Sequence, residues 1–239
     1  MNGARGEILS AIRLALRRER LDPPAEAALR ARVAAHRRNL LPARATILDH
    51  AGRIDLFITM AEEAQATVTR VASPAAVPAA VVQYLAAENL PAELVMAPDP
   101  HLDEIPWQMR PLLQIRRGRA GPADAIGLTP CFAAVAETGT LMLVSGADTP
   151  TSLNFLPDTH IALVRANQVV GTYEEGWDRL RTAGSGKAPG ERLPRTVNFI
   201  TGPSRTGDIE QRIVLGAHGP RRLHIVVIDD PESDGRGQT

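Results

Sequence analysis

A chain of 239 residues, 44% apolar and with its 19 Gly and 19 Pro spread along its length, suffices for one sizeable core and argues against wholesale disorder. Aromatic residues make up only 3%, so Ala, Val, Leu and Ile must fill that core, and the stacking platforms of single-stranded nucleic-acid binders are missing. The 27 basic and 27 acidic residues cancel overall, yet residues 1–44 hold ten Arg and four acids (Glu7, Glu19, Asp22, Glu26), a local charge of +6 against −6 in the remainder.

Ile8, Leu9, Ile12, Ala15 and Leu16 recur at helical spacing and predict an amphipathic helix over residues 4–19. A second helix follows, with Asp22 as cap, Pro23 in its first position and Glu26 in its first turn; Leu29, Val33 and Leu40 are its expected buried stripe. Residues 51–65 read as a third helix through Ile54, Phe57, Ile58 and Ala61, and Thr67 to Val71 as a β-branched strand. Ser73 and Pro74 then open a helix carrying Val77, Val81, Tyr84 and Leu85 on one face, and Glu93 to Met96 returns as a strand. This strand-helix-strand order implies parallel strands.

The central stretch is different. Phe132 to Ala136 and Thr140 to Ser145 are apolar runs separated by Glu137-Thr138-Gly139, a tight hairpin. Thr159 to Val164 is a further strand, and Thr172 with Glu175 makes a capping box for a helix that places Tyr173, Trp177 and Leu180 together and stops at Gly184. After a linker over residues 185–194, Thr196 to Thr201 reads as a strand, Gly202 to Gly207 as a tight loop, Asp208 to Leu215 as a helix with Ile209 and Ile213 buried, and Leu223 to Ile228 as a strand. No internal repeat occurs at a fixed period.

No run approaches the roughly 20 apolar residues of a membrane span, and Arg13, Arg17 and Arg18 interrupt any signal-peptide core, so a cytoplasmic protein is expected. Cys131 is the only cysteine and sits in an apolar run, which reads as core; neither a disulfide nor a four-thiolate iron-sulfur site can be assembled from this chain. The six His residues lack zinc-binding spacing, and Gly184-Ser185-Gly186-Lys187-Ala188 falls short of a phosphate-binding loop, with Arg181 in place of the first Gly and Ala188 in place of the closing hydroxyl residue. The N-terminal charge invites a partner; solvated helix faces are the plainer alternative, ahead of a nucleic-acid or membrane patch, because acids are interleaved and no basic run exceeds two residues.

Three constellations carry possible chemistry. A strand leading through Ser204, Arg205 and Thr206 into a helix N-terminus would gather backbone N–H donors, hydroxyls and a guanidinium around an anion; equally, Ser204 or Thr206 could simply cap that helix, with Asp208 and Glu210 on its dipole. His218, beyond the helix stop at Gly216, is either a ligand contact or a dipole partner, and the same choice applies to His160 at a strand start. Glu137, at the hairpin tip beside Thr138, Gly139 and Thr140, is a nucleophile or base if desolvated and an ordinary turn residue otherwise.

Three segments in order resemble the LUD-domain family and its LutC/YkgG branch, the lactate utilization protein C group. They are Ala136-Glu137-Thr138-Gly139-Thr140-Leu141, then Leu156-Pro157-Asp158-Thr159-His160-Ile161-Ala162, then Pro203-Ser204-Arg205-Thr206-Gly207-Asp208-Ile209-Glu210 with Gly216-Ala217-His218-Gly219-Pro220. Asn154-Phe155 departs from the Asn-Arg pair of many relatives. The resemblance runs from about Ile47 to Asp229 and implies an N-terminal helical extension (1–44), a LUD domain (45–230) and a short tail (231–239). The implied fold is α/β, a mixed sheet with parallel βαβ units flanked by helices, similar to the ribose-phosphate isomerase, glucosamine-phosphate deaminase and CoA-transferase group. It further implies a part in oxidising L-lactate to pyruvate beside iron-sulfur partner subunits, with no cofactor in this chain and a small carboxylate or other anionic metabolite as ligand. On this resemblance Glu137, Thr138, Gly139 and Thr140 share a pocket with Ser204, Arg205, Thr206, Asp208 and His218. The alternative is a stand-alone transferase or isomerase of that fold using Glu137.

Overall fold

The computed structural model describes residues 3–17, 21–38, 40–186, 193–209, 212–216 and 218–229, with backbone alone at 207–209 and 212–215. Most of the linker expected over 185–194 and the whole tail at 231–239 lie outside the described residues. The chain divides into two compact units, Met1–Leu40 and Leu41–Thr239.

In the first unit, α1 (Gly3–Ala15) and α2 (Pro23–Ala34) form where expected, and the Asp22 carboxylate accepts the Ala25 N–H at 2.8 Å, as an N-cap should. The expected buried stripe of α2 is not there: Leu29, Val33 and Leu40 are 46%, 71% and 96% exposed. Leu40 lies beyond the end of α2, and Leu29 and Val33 alone among its alanines and arginines are too few to make a continuous apolar face.

The second unit begins with α3 (Ala43–Thr46), whose Ala45 is fully buried, and α4 (His50–Glu63), capped by Asp49 and burying Ile54, Phe57 and Ala61. Next come β1 (Thr67–Val71), α5 (Val77–Ala87) and β2 (Glu93–Met96). Ser73 makes no side-chain cap; Pro74–Ala76 instead forms a single 3₁₀ turn ahead of α5, and Pro78 lies in the first turn of α5 itself. After α6 (Pro100–Asp103), β3 (Gln114–Arg117) and β4 (Ile126–Pro130), the expected hairpin appears as β5 (Ala133–Val135) and β6 (Thr140–Val144), paired antiparallel. Beyond α7 (Ser152–Phe155) lie β7 (Thr159–Arg165), β8 (Val169–Val170), α8 (Tyr173–Ala183) and β9 (Val197–Ile200).

The helix expected over Asp208–Leu215 is replaced by a hairpin of β10 (Arg205–Ile209) and β11 (Arg212–Leu215). Thr206, Ile209, Ile213 and Val214 are β-branched and Gly207 is a poor helix former, so local preference already opposes a helix. The Ser204 N–H donates to the Pro220 carbonyl and the Gly216 N–H to that of Ser204, which closes the ribbon at its base. Gly216 is therefore a turn residue at φ +77° rather than a helix stop. The chain ends its described course in β12 (Arg222–Ile228).

Among the described residues, a parallel sheet runs β1-β12-β7-β4-β2-β3 and a second sheet runs β8-β5-β6-β9. The β1-α5-β2 unit is parallel as expected, but β12, β7 and β4 are interposed between its strands. Strands β7 and β12 are buried along nearly their whole length, and mostly apolar, because both faces of the sheet are covered. Successive side chains point to opposite faces. Thus Ile161, Leu163, Val226 and Ile228 pack with Val81, Leu85 and Leu102, whereas Ala162, Val164, Ile225 and Val227 pack with Phe57, Ala134 and Leu141. The second sheet is covered in turn by α8, through Leu180 and Met142 with Trp177 alongside.

Gly139 sets the distance between the β5–β6 turn and α4. It has φ +63°, and a Cβ there would overlap the backbone of Met60 and Ala61. Gly139→Ala is expected to cost about 2–4 kcal/mol through a left-handed backbone and overpacking together. Urea denaturation checks this, and a variant as stable as the parent would show that the turn is free to move off α4.

Candidate functional site

Glu137 is buried, not an exposed turn residue. One carboxylate oxygen accepts the Tyr173 N–H at 2.9 Å, at the N-terminus of α8, where the helix dipole favours an anion. Its backbone is held at both ends: the N–H donates to the Gly171 carbonyl and the carbonyl accepts from Arg44 at 2.6 Å. At the same helix start the Thr172 hydroxyl accepts the Glu175 N–H, while the Glu175 carboxylate accepts the Gly171 N–H at 2.7 Å and pairs with Arg53 at 3.2 Å.

Thr138 and Thr140 belong to a cluster of hydroxyls. Their oxygens lie 2.7 Å apart, each 2.9 Å from the Tyr173 hydroxyl, and Thr140 also meets the Thr201 hydroxyl at 2.6 Å. Thr140 is fully buried and Thr201 exposed, so the cluster runs from the core to the surface.

Thr201 opens onto a cleft of about 210 Å³ formed with Asn154, Phe155, His160, Ser204, His218 and Gly219. Asn154 and Phe155 come from α7, His160 from the start of β7, and Ser204 and His218 from the base of the β10–β11 ribbon, so this cleft lies at the amino ends of the parallel strands. Gly202 fixes its rim: at φ +71° it presses against the Ala64 carbonyl so closely that no side chain fits. The residues marked in the sequence are thus brought together in part. Ser204 and His218 line the cleft, the His218 N–H donating to the Ser204 hydroxyl at 3.3 Å, and the hairpin threonines reach it through Thr201. Arg205 begins β10 with an exposed side chain, Thr206 is half-buried behind it, and of Asp208 only the strand backbone is described. The helix N-terminus expected to gather N–H donors here does not form, and the Ser204 N–H is already donated to Pro220.

His160 gains weight from the structure. The ring is fully buried, with Nε2 2.7 Å from the Thr129 hydroxyl and Nδ1 without a hydrogen bond. Burial pushes its pKa down to about 4, so the ring is neutral near pH 7 and can act as one donor and one acceptor. The sequence signal was a histidine opening an apolar strand, a position that polar residues rarely occupy without cause. His224 is a second buried histidine, stacked on Tyr84 at 3.8 Å and bonded to the Thr67 hydroxyl at 2.8 Å, with its pKa likewise pushed down to about 4 by burial. Cys131 is core, and burial pushes its thiol up to about 12. Among the described residues no group of three or more His, Cys, Asp or Glu is placed to hold a metal ion, and no helix is long and apolar enough to cross a membrane.

A parallel sheet flanked by helices and bearing a smaller sheet on one face, with a cleft of hydroxyl, amide and imidazole groups at its edge, defines the class of the protein as an α/β domain. Residues 54–228 match the LUD domain family, and the chain belongs to it. It is 38% identical over 112 residues to lactate utilization protein C of Halalkalibacterium halodurans, covering 47% of each chain. To the proteins of that name from Deinococcus radiodurans and Bacillus subtilis it is 41% identical over 107 residues and 35% over 105, covering 44% of this chain and 47% and 42% of theirs. The chain spans about half the length of the curated relatives it matches. A crystal structure of a DUF162 family protein from Deinococcus radiodurans is similar at a TM-score of 0.55 and 25% identity, over 76% of this chain and 99% of that one.

The two buried histidines set a pH dependence. Their folded pKa values lie below the ordinary 6.5, so protons favour the unfolded chain; stability is unaffected above about pH 6.5, falls as the pH drops toward 4, and levels off below that. The loss between pH 6.5 and 4.5 is expected to reach about 2–3 kcal/mol per histidine. Urea midpoints at both pH values should therefore converge in a His160→Gln, His224→Gln double variant, and an unchanged pH dependence would assign the effect elsewhere. Removing the carboxylate that caps α8, in Glu137→Ala, should cost about 1–2 kcal/mol, read from the same denaturation curves. A variant as stable as the parent would mean that the capping contact contributes nothing.

Proposed function

We propose that this chain is a non-redox component of a bacterial system oxidising L-lactate to pyruvate, acting beside iron-sulfur partner proteins and binding a small carboxylate or other anionic metabolite. The observation that carries this reading is the match to proteins named lactate utilization protein C within the LUD family. The sequence supports the division of labour, since a lone Cys131 cannot supply the four thiolates of a usual cluster and the redox centres belong to the partners. The metabolite binds in the cleft beside Thr201, Ser204 and His218, with neutral His160 at its floor and Thr138, Gly139 and Thr140 holding Thr201 in place. Arg205 and Thr206, on the ribbon, present charge and a hydroxyl group to a neighbouring subunit or to the anion as it enters.

The N-terminal helices are the docking element for a partner. Residues 1–44, which contain them, carry the net charge of +6, and Ile8, Leu9, Ile12 and Leu16 are exposed. Partner docking would cover this apolar stripe.

Complementation tests the assignment. The gene should restore growth on L-lactate to a Bacillus subtilis strain lacking its lactate utilization protein C, and the tagged chain should co-purify with cysteine-rich iron-sulfur proteins. Removing residues 1–40 should abolish that co-purification while leaving the unfolding temperature within a few degrees, because α1 and α2 bury none of their residues. Failure to complement, together with turnover of an acyl-CoA or sugar phosphate by the purified chain alone, would move the reading to a stand-alone transferase or isomerase using Glu137.

A further inference from the structure

The opposite edge of the parallel sheet holds a second cleft. Strands β2 and β4 are neighbours, yet the chain leaves them toward opposite faces. After β2 it enters α6, where Leu102 and Ile105 join the core beside α5; after β4 it enters β5, where Ala134 joins the core beside α4. A parallel sheet whose connections diverge in this way opens a crevice at its carboxyl edge, the general location of ligands in open α/β sheets. Here that crevice has a volume of about 290 Å³.

Its walls are apolar, with Leu102, Ile105, Phe132 and Leu163, and two guanidinium groups border it. Arg165 ends β7 and reaches Glu104 at 3.3 Å, a pair whose carboxylate is 61% exposed. Such a pair contributes at most about 1 kcal/mol and can be exchanged for another carboxylate. Arg179, on α8, is steered by the Asn167 carbonyl at 2.7 Å and lies over the Phe132 ring at 5.9 Å. The one carboxylate on the wall, Asp99, accepts the His101 N–H at 2.9 Å as the cap of α6. His101, also on the wall, lies 3.6 Å from Glu104.

We propose that this crevice binds a small organic carboxylate with an apolar body, the carboxylate engaging Arg165 and Arg179 and the body lying against Phe132 and Leu163. Phosphate is a poorer fit, because it has no apolar body to lie against Phe132 and Leu163 and would gain only from the arginines and from any free backbone N–H groups. The N–H groups that follow β4 are already used, Cys131 donating to Leu163 and Phe132 to Met142. The assignment does not rest on lactate oxidation, and it shares no residue with the amino-edge cleft.

Saturation-transfer NMR on the full chain tests it, with benzoate as probe and benzamide and inorganic phosphate as comparisons. Benzoate should bind; benzamide, without the charge, and the Arg165→Gln and Arg179→Gln variants with benzoate should each bind about ten- to a hundred-fold more weakly. Arg70→Gln, at a surface arginine outside both clefts that pairs with Asp55 and Asp229, should leave benzoate binding unchanged, and phosphate should not displace it. No binding of benzoate, equal binding of benzamide, an equal loss in Arg70→Gln, or displacement by phosphate would each overturn the proposal. If an arginine variant unfolds, the comparison of benzoate with benzamide on the parent chain still decides.

Discussion

Burial of β7 and β12 on both faces is the constraint from which the rest of the second unit follows. Apolar residues fall on both faces of each strand, so neither face can be left to solvent, and the two strands are adjacent and parallel. One face is met by α5 with the residues after β2, the other by α4 with the β5–β6 hairpin. That hairpin has an outer face of its own, which Met142 and Ala133 present to α8. The layers are thus a chain of coverings, each called for by the one beneath it.

Polar groups inside this apolar stack are few, and most have one assigned partner. Thr129 meets His160, Thr67 meets His224, and Glu137 meets the start of α8. Each contact makes tolerable a group whose unpaired burial costs about 1–3 kcal/mol. The unpartnered atoms are correspondingly informative. Among those in the described residues, His160 Nδ1 belongs to a residue lining a cleft, which is why a histidine with no catalytic partner nonetheless draws attention as a ligand contact.

The two clefts lie at opposite ends of the same strands and differ in chemistry. The amino-edge cleft offers hydroxyl, amide and neutral imidazole groups, suited to orienting a small polar ligand by hydrogen bonds. The carboxyl-edge crevice combines apolar walls with guanidinium charge, suited to holding an anion by charge-assisted bonds. One sheet therefore presents two kinds of recognition without sharing a side chain.

Much of the architecture was legible from residue order alone. Asp22-Pro23, the Thr172 cap of α8 and the Glu137-Thr138-Gly139 gap announce local geometry that needs no distant partner, although Glu175 reaches the Gly171 N–H rather than that of Thr172, and the apolar runs at Thr159–Val164 and Leu223–Ile228 announce buried strands. The reading failed where neighbours decide. Residues 208–215 have an apolar spacing compatible with a short helix, but their β-branched residues disfavour one, and pairing across the ribbon with the bonds from Ser204 to Pro220 and Gly216 fixes it. Leu29 and Val33 read as core because apolar spacing cannot reveal whether another surface exists to receive it. Family membership could be read from short motifs, since these are local. The burial of Glu137 at the start of α8, the meeting of Thr140 with Thr201, and the crevice between β2 and β4 each join residues far apart in sequence. They follow from strand order in the sheet, which is set by long-range packing and so belongs to the tertiary structure alone.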